Sequence, residues 1–136
     1  GTLGADALVD AGAEDVAAAV RRWSGKDGVS GSFETSGTAA AQTVSVDVTG
    51  RGGSVAFVGF GSGIPSITPA DIIVKQLSLM GSFVFPIDAY YTMLDFVVRE
   101  KVPLEATITH TVPLADAPDI LPAFDRGETG KVILVP

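Results

Sequence analysis

At 136 residues, with 46% hydrophobic and 18% charged side chains, the chain has the size of one ordinary domain and enough apolar material for a core, which excludes disorder over its whole length. Nine basic residues against 16 acidic ones leave a net charge of −7 and no basic stripe to neutralise a phosphate backbone, which argues against a nucleic-acid partner. The lack of cysteine excludes disulfides and thiolate metal sites within the chain, and with His110 as the lone histidine an all-protein zinc site has no ligand set.

No apolar run approaches the ~18 residues of a membrane-spanning helix. The positive mean hydropathy therefore reflects alanine, valine and isoleucine in a core. No signal-peptide pattern is evident, and with the missing cysteines this points to a reducing cytoplasm. The opening Gly1-Thr2-Leu3-Gly4-Ala5-Asp6 reads as a helix exit without the caps that open a domain, so the expectation is a piece of a longer protein.

Ala7-Leu8-Val9-Asp10 is a short apolar run that predicts a strand. In residues 14–24, Val16, Val20 and Trp23 recur at helical spacing, with Gly25 as the stop. Residues 33–36 read as the next strand, and residues 38–49 as a helix placing Ala41, Val44 and Val48 on one side before Gly50. Gly52-Gly53 predicts a turn into a strand over 54–59, which is apolar on both faces as a buried parallel strand should be. Thr68-Pro69-Ala70-Asp71 starts a short helix to about Gln76, with a capping threonine, proline at the first helical position and an acid in the first turn.

A strand over 77–84 is followed by Pro86-Ile87-Asp88 as the cap of a longer helix to Glu100, which is expected to bury Tyr90, Leu94, Val97 and Val98. Asp95 and Arg99 stand four residues apart, the spacing of an ion pair. Residues 107–111 alternate as a half-exposed strand, residues 114–126 read as a helix kinked by Pro122, and 131–135 as a final strand. Strand alternating with helix from residue 7 to 84 implies right-handed crossovers and an α/β, doubly wound parallel sheet. Three apolar runs end in a small residue or glycine, at Ser36-Gly37, Gly59 and Gly81-Ser82. As neighbouring parallel strands they would leave a crevice at their carboxyl ends where a ligand meets bare backbone.

Read in order, Leu3-Gly4-Ala5-Asp6, Gly28-Val29, Phe33-Glu34-Thr35-Ser36-Gly37, Gly52-Gly53-Ser54-Val55-Ala56-Phe57-Val58-Gly59, Gly81-Ser82, Ile108-Thr109-His110-Thr111-Val112-Pro113-Leu114 and Gly127-Glu128-Thr129-Gly130-Lys131-Val132-Ile133-Leu134 follow the order and spacing of a known family. Over nearly its whole length the chain resembles the C-terminal portion of the zinc-type alcohol dehydrogenases of the medium-chain dehydrogenase/reductase superfamily. The resemblance implies that residues 1–84 are the later part of an NAD(P)-binding Rossmann domain and 85–136 the C-terminal return segment of a GroES-like catalytic domain. In the strand order 3-2-1-4-5-6, the strands here would be 3, 4, 5 and 6, with strand 3 deprived of both neighbours and an apolar edge exposed where strand 1 belongs. The phosphate loop, the ribose selector and the cysteine, histidine and carboxylate ligands of catalytic zinc would all lie outside this chain.

The implied activity is hydride transfer between NAD or NADP and a small alcohol or carbonyl compound, in a complete protein that also holds zinc; the fragment alone would be inactive. The resemblance places Thr35, Ser36 and Gly37 near the adenosine-side ribose and phosphates, and Val58, Gly59 and Phe60 beside the nicotinamide and its ribose. Gly81, Ser82 and Phe83 would complete that edge. Lys131 occupies a position from which the family often directs a cation to the pyrophosphate, although a solvated lysine opening an edge strand is an equal reading of the residue itself. The strand over 77–84 would join subunits in a homodimer or homotetramer. A zinc-independent quinone or enoyl reductase of the same superfamily, and a short nucleotide-binding or interaction module without catalysis, are the other readings.

Gly59-Phe60-Gly61-Ser62-Gly63 imitates a phosphate loop, but Ile64-Pro65 follows where a helix should begin, so a flexible border to the nicotinamide is the better reading. His110 is expected to be a hydrogen-bonded structural residue, and Glu34 a framework residue whose burial demands a partner. No nucleophile, base and orienter set supports a hydrolase.

Overall fold

A computed structural model describes residues 4–25, 27–61 and 63–136. Leu3 of the first family-like motif and Ser62 of the glycine run lie outside these residues. The described chain divides into a compact unit of Ala7–Pro86 and a second containing Ile87–Pro136.

In the first unit, α1 (Val16–Ser24) begins where the Asp15 side chain accepts the Ala18 amide and ends at Gly25. It is followed by β1 (Val29–Glu34), α2 (Ala39–Val48), β2 (Thr49–Phe57), α3 (Pro69–Lys75) and β3 (Ser78–Gly81). The three strands form one parallel sheet in the order β1-β2-β3. Thr68 and Asp71 close a full capping box at the start of α3, with Pro69 in its first turn, as the sequence predicts. The core is small: Val46, Val55 and Leu77, with Phe57, Ile67, Ile72 and Leu79 packed around them. Lys75 donates to the carbonyls of Val46, Asp47 and Thr49, so α3 supplies donors to groups that the end of α2 leaves unpaired. An Arg21–Asp47 ion pair ties α1 to the same corner.

The strands differ from expectation at their ends. β1 starts earlier, at Val29, and stops at Glu34, because the Glu34 carboxylate bends the next residues back onto itself. β2 follows α2 without a break, and the glycines at 50, 52 and 53 are absorbed as an irregularity between the Val29↔Thr49 and Gly31↔Ser54 pairs. β3 ends at Gly81, three residues short of the predicted limit, where Ser82 donates to the Phe57 carbonyl and Val84 takes a φ of 53°.

The strand expected over residues 7–10 is absent. Asp10 instead makes a turn, accepting the Gly12 amide on its side chain and the Ala13 and Glu14 amides on its carbonyl. Val9 and Ala11 line a cavity of about 650 Å³ shared with Phe33, Ala41 and Val44. With no strand in that space, the segment has no ladder to join, and a lone strand cannot satisfy its own backbone groups.

The second unit holds α4 (Ala89–Arg99), a 3-10 turn (Leu104–Thr107), β4 (Ile108–Pro113), a second 3-10 turn (Leu114–Asp116), α5 (Ala117–Asp125) and β5 (Lys131–Val135). β4 and β5 pair in parallel, with His110 opposite Val132 and Val112 opposite Leu134. Pro122 lies inside α5, as predicted. Here the packing expectation fails: no residue of α4 is buried, and Val98 is 76% exposed, because no described element of its own unit covers that face. Asp88 occupies the cap position of α4 without a side-chain hydrogen bond. Arg99 pairs with the adjacent Glu100 rather than with Asp95.

The edge strand β1 presents Phe33, 80% exposed, beside an unpaired row of backbone groups, the combination that templates association. The isolated chain is therefore expected to sediment as species larger than a monomer at micromolar concentration. A monomer with cooperative thermal unfolding would overturn this.

Candidate functional site at the carboxyl edge of the sheet

Glu34 is paired with Phe57, and Phe57 with Gly81, so β1, β2 and β3 stop at one level. Their exits leave the same edge of the sheet side by side. Nine of the ten positions singled out from sequence lie on these exits: Thr35, Ser36 and Gly37 after β1; Val58, Gly59 and Phe60 after β2; Gly81 at the end of β3, with Ser82 and Phe83 following. The tenth, Lys131, opens β5 in the second unit and is exposed.

The first two exits cross backbone to backbone. A methyl group built on Gly59 would lie 2.6 Å from the Thr35 carbonyl carbon and would overlap the Gly37 amide nitrogen. One built on Gly37, whose φ is 72°, would lie 2.6 Å from the Gly61 nitrogen, and one on Gly61 would overlap the Gly37 carbonyl oxygen. Three glycines thus enclose one another, and no other residue type fits there. At Gly81 an added methyl would meet nothing within 4 Å, so the edge is open beside the third strand. Phe60, 93% exposed, stands edge-to-face with Phe83 at 6.3 Å between ring centres, linking the β2 and β3 exits by an aromatic pair.

Glu34 anchors this edge and is only 4% exposed. One carboxylate oxygen accepts the Ser36 hydroxyl at 2.7 Å, the Ser36 amide at 2.8 Å and the Gly37 amide at 3.0 Å; the other accepts the Gly37 amide at 3.1 Å. The Ser36 hydroxyl, with the amides of Ser36 and Gly37, lowers the Glu34 pKa below its ordinary 4.5 against the opposing effect of burial. The carboxylate is turned inward and covered by donors, so its charge is not presented to a ligand at the edge. The partners that the burial of Glu34 demands lie two and three residues onward, at Ser36 and Gly37, and the x-Glu-x-Ser-Gly spacing is their signal in the sequence.

The other candidates separate from the site. No helix begins before Pro69 among the described residues after Gly59, so the glycine run is not a helix-capped phosphate loop. His110 is exposed on β4, its Nδ1 2.8 Å from the Thr109 hydroxyl, which also accepts the Gly130 amide. Among the described residues no group of three or more histidine, cysteine, aspartate or glutamate side chains is placed to hold a metal, and with no cysteine in the chain the residues present do not fit a zinc centre.

A family model described as zinc-binding dehydrogenase matches residues 1–99. The chain belongs to the zinc-binding dehydrogenase family. L-threonine 3-dehydrogenase of Rhizobium etli (strain CIAT 652) is 30% identical over 133 residues, covering 97% of this chain and 38% of that protein. The 2-dehydro-3-deoxy-L-galactonate 5-dehydrogenase of Pseudoalteromonas atlantica is 28% identical over 121 residues, covering 89% of this chain and 36% of its own length. Among solved structures, a zinc-binding dehydrogenase fold from Sinorhizobium meliloti 1021 bound to NADP superimposes with a TM-score of 0.85 at 28% identity, over 99% of this chain and 40% of that one. L-idonate 5-dehydrogenase of Escherichia coli K-12 gives 0.78 at 27% identity, over 98% and 38%. The zinc-binding dehydrogenase chain thus spans about two-fifths of the length of these relatives. Its parallel α/β sheet is the Rossmann-like portion of such enzymes, and no helix of the described residues is long and apolar enough to cross a membrane.

Two measurements probe this edge. Gly59→Ala is expected to destabilise the fold by about 1–3 kcal/mol through forced backbone displacement, read as a lower urea midpoint in dilute solution; an unchanged midpoint would show that the exits can separate freely. A lowered folded pKa means that the unfolded chain takes up the Glu34 proton first. Its contribution is complete above the ordinary value of 4.5 and is lost as pH falls through the lower folded value. Asp71 and Glu128 have lowered values too, so the urea midpoint should fall on acidification, and less steeply in Glu34→Gln than in the unaltered chain. Parallel pH profiles would contradict this assignment.

Proposed function

We propose that this chain forms the later half of the dinucleotide site of an NAD(P)-dependent zinc-type alcohol or polyol dehydrogenase. The observation that carries the reading is the glycine-only crossing of the β1 and β2 exits at the same level as the open end of β3. It removes side chains at an edge where open α/β sheets bind nucleotides. Thr35, Ser36 and Gly37 would face the adenosine-side ribose and phosphates. Val58, Gly59 and Phe60, completed by Gly81, Ser82 and Phe83, would border the nicotinamide ribose and ring. Lys131 would direct its ammonium group to the pyrophosphate, as a point charge without arginine's fork.

When bound, the cofactor supplies or accepts the hydride exchanged with a small alcohol or carbonyl compound. The part of this chain in that chemistry is positional: it holds one side of the nucleotide in a fixed orientation. In this reading residues 1–84 complete the Rossmann domain and 85–136 return to a GroES-like catalytic domain, a division supported from Ala7 onward by the change of compact unit along the chain after Pro86. Zinc belongs to the complete protein through ligands outside this chain, and the fragment alone is inactive. The exposed edge strand β3 suits pairing between subunits in a homodimer or homotetramer. A cysteine-free composition suits a reducing cytoplasm.

The coding sequence upstream of Gly1 is expected to encode a glycine-rich phosphate loop and cysteine and histidine zinc ligands; an initiator codon immediately before Gly1 would sink the reading. In the complete dehydrogenase, Lys131→Ala is expected to raise the cofactor KM about tenfold or more, in line with roughly 1.5–3 kcal/mol for a hydrogen bond to a charged group. An unchanged cofactor KM would remove Lys131 from the pyrophosphate.

A further inference from the structure

Glu34 grips both exits at once. Its side chain holds the β1 exit through Ser36 and Gly37. Its main-chain carbonyl accepts the Val58 amide at 2.8 Å and the Gly59 amide at 2.9 Å, holding the β2 exit. The Ser36 hydroxyl extends the network to Thr38, 3.1 Å away, whose own hydroxyl accepts the Ala41 amide in the first turn of α2. From one buried carboxylate the hydrogen bonds therefore reach both loops and the start of the intervening helix.

We propose that Glu34 is a positioning residue for the nucleotide: a clasp that fixes the spacing of the two glycine-bearing exits, so that their backbone presents one preformed surface to the cofactor. The functional half of this inference rests on the dinucleotide-site reading above, while the clasp itself stands on the hydrogen bonds alone. The physical argument is one of preorganisation. Thr35 and Ser36 are exposed and Phe60 and Phe83 almost wholly so, and none of them packs into the core that would otherwise fix the exits. A surface carried on loops binds tightly only when ordering it does not have to be done by the ligand. An ionised acceptor receiving four hydrogen bonds at 2.7–3.1 Å supplies that order without touching the ligand. An amide at this position keeps the size but replaces one acceptor oxygen with a donor that would face the Gly37 N–H.

The test has two arms. In amide hydrogen exchange on the 136-residue chain, Glu34→Gln is expected to speed exchange at Ser36, Gly37, Val58 and Gly59 while leaving Val55 and Ala56 in β2 unchanged. Ser36→Ala, which removes only the hydroxyl donor, is expected to do the same more weakly. Unchanged exchange at the four amides, or a uniform increase across the sheet, would overturn the clasp. In the complete dehydrogenase titrated with NAD+ and NADP+, Glu34→Gln is expected to raise the KM of the preferred cofactor about tenfold with kcat and the alcohol KM held, and Glu34→Asp to restore part of the loss. A fall in kcat with comparable rises in both KM values would make Glu34 merely structural and overturn the positioning role. A complete protein that turns over with neither cofactor would overturn the dinucleotide reading, and with it the role in binding, while the exchange arm would still decide the clasp.

Discussion

The larger sheet ends at one level because Glu34, Phe57 and Gly81 stand in register across three parallel strands, and the first two chains leaving that level must pass through the same narrow space. Main chain meets main chain there, which admits only hydrogen at three α-carbons. Such proximity brings amide and carbonyl dipoles together with no side chains between them, and it is stable only if the donors are satisfied. The Glu34 carboxylate and carbonyl between them accept the amides of Ser36, Gly37, Val58 and Gly59. The glycines permit the crossing and the carboxylate holds it. The shape of the candidate nucleotide edge follows from both.

Away from this edge the fold is sparingly buried. Three residues form the centre of its core, α4 buries nothing, and large apolar side chains from Phe33 to Phe124 face outward. The chain spans about two-fifths of the length of its zinc-binding dehydrogenase relatives, and in the proposed complete dehydrogenase this surface would be available for contacts with the rest of the protein. Polar corners supplement the small core: the capping box fixes the first turn of α3, the three carbonyls gathered by Lys75 join α3 to the junction of α2 and β2, and the Arg21–Asp47 pair joins α1 to α2.

The division of labour in the proposed enzyme follows from what the chain contains. The proposed site takes one side of a dinucleotide, and among the described residues no group of three or more histidine, cysteine, aspartate or glutamate side chains is placed to hold a metal. Orientation of the cofactor and polarisation of the substrate oxygen are separable physical tasks, and this segment is suited to the first. In the proposed complete dehydrogenase the second task falls to residues outside this segment.

Local chemistry in the sequence was enough to set the helix starts at Thr38 and Thr68, the helix stop at Gly25, the proline within α5 and the alternation of strand and helix, because caps, turns and periodicity act over a few residues. It was also enough to pick out Gly37, Gly59 and Gly81 as bare strand ends. What sequence could not decide was anything needing a distant partner. Residues 7–10 have strand composition but no strand, because a ladder requires a neighbour. Tyr90, Leu94 and Val98 have the spacing of a buried face that stays exposed, because burial requires a covering surface. The third glycine of the crossing, Gly61, and the grip of Glu34 on two loops emerged only when β1 and β2 were laid side by side, since the main-chain atoms that exclude a side chain there come from a segment more than 20 residues away.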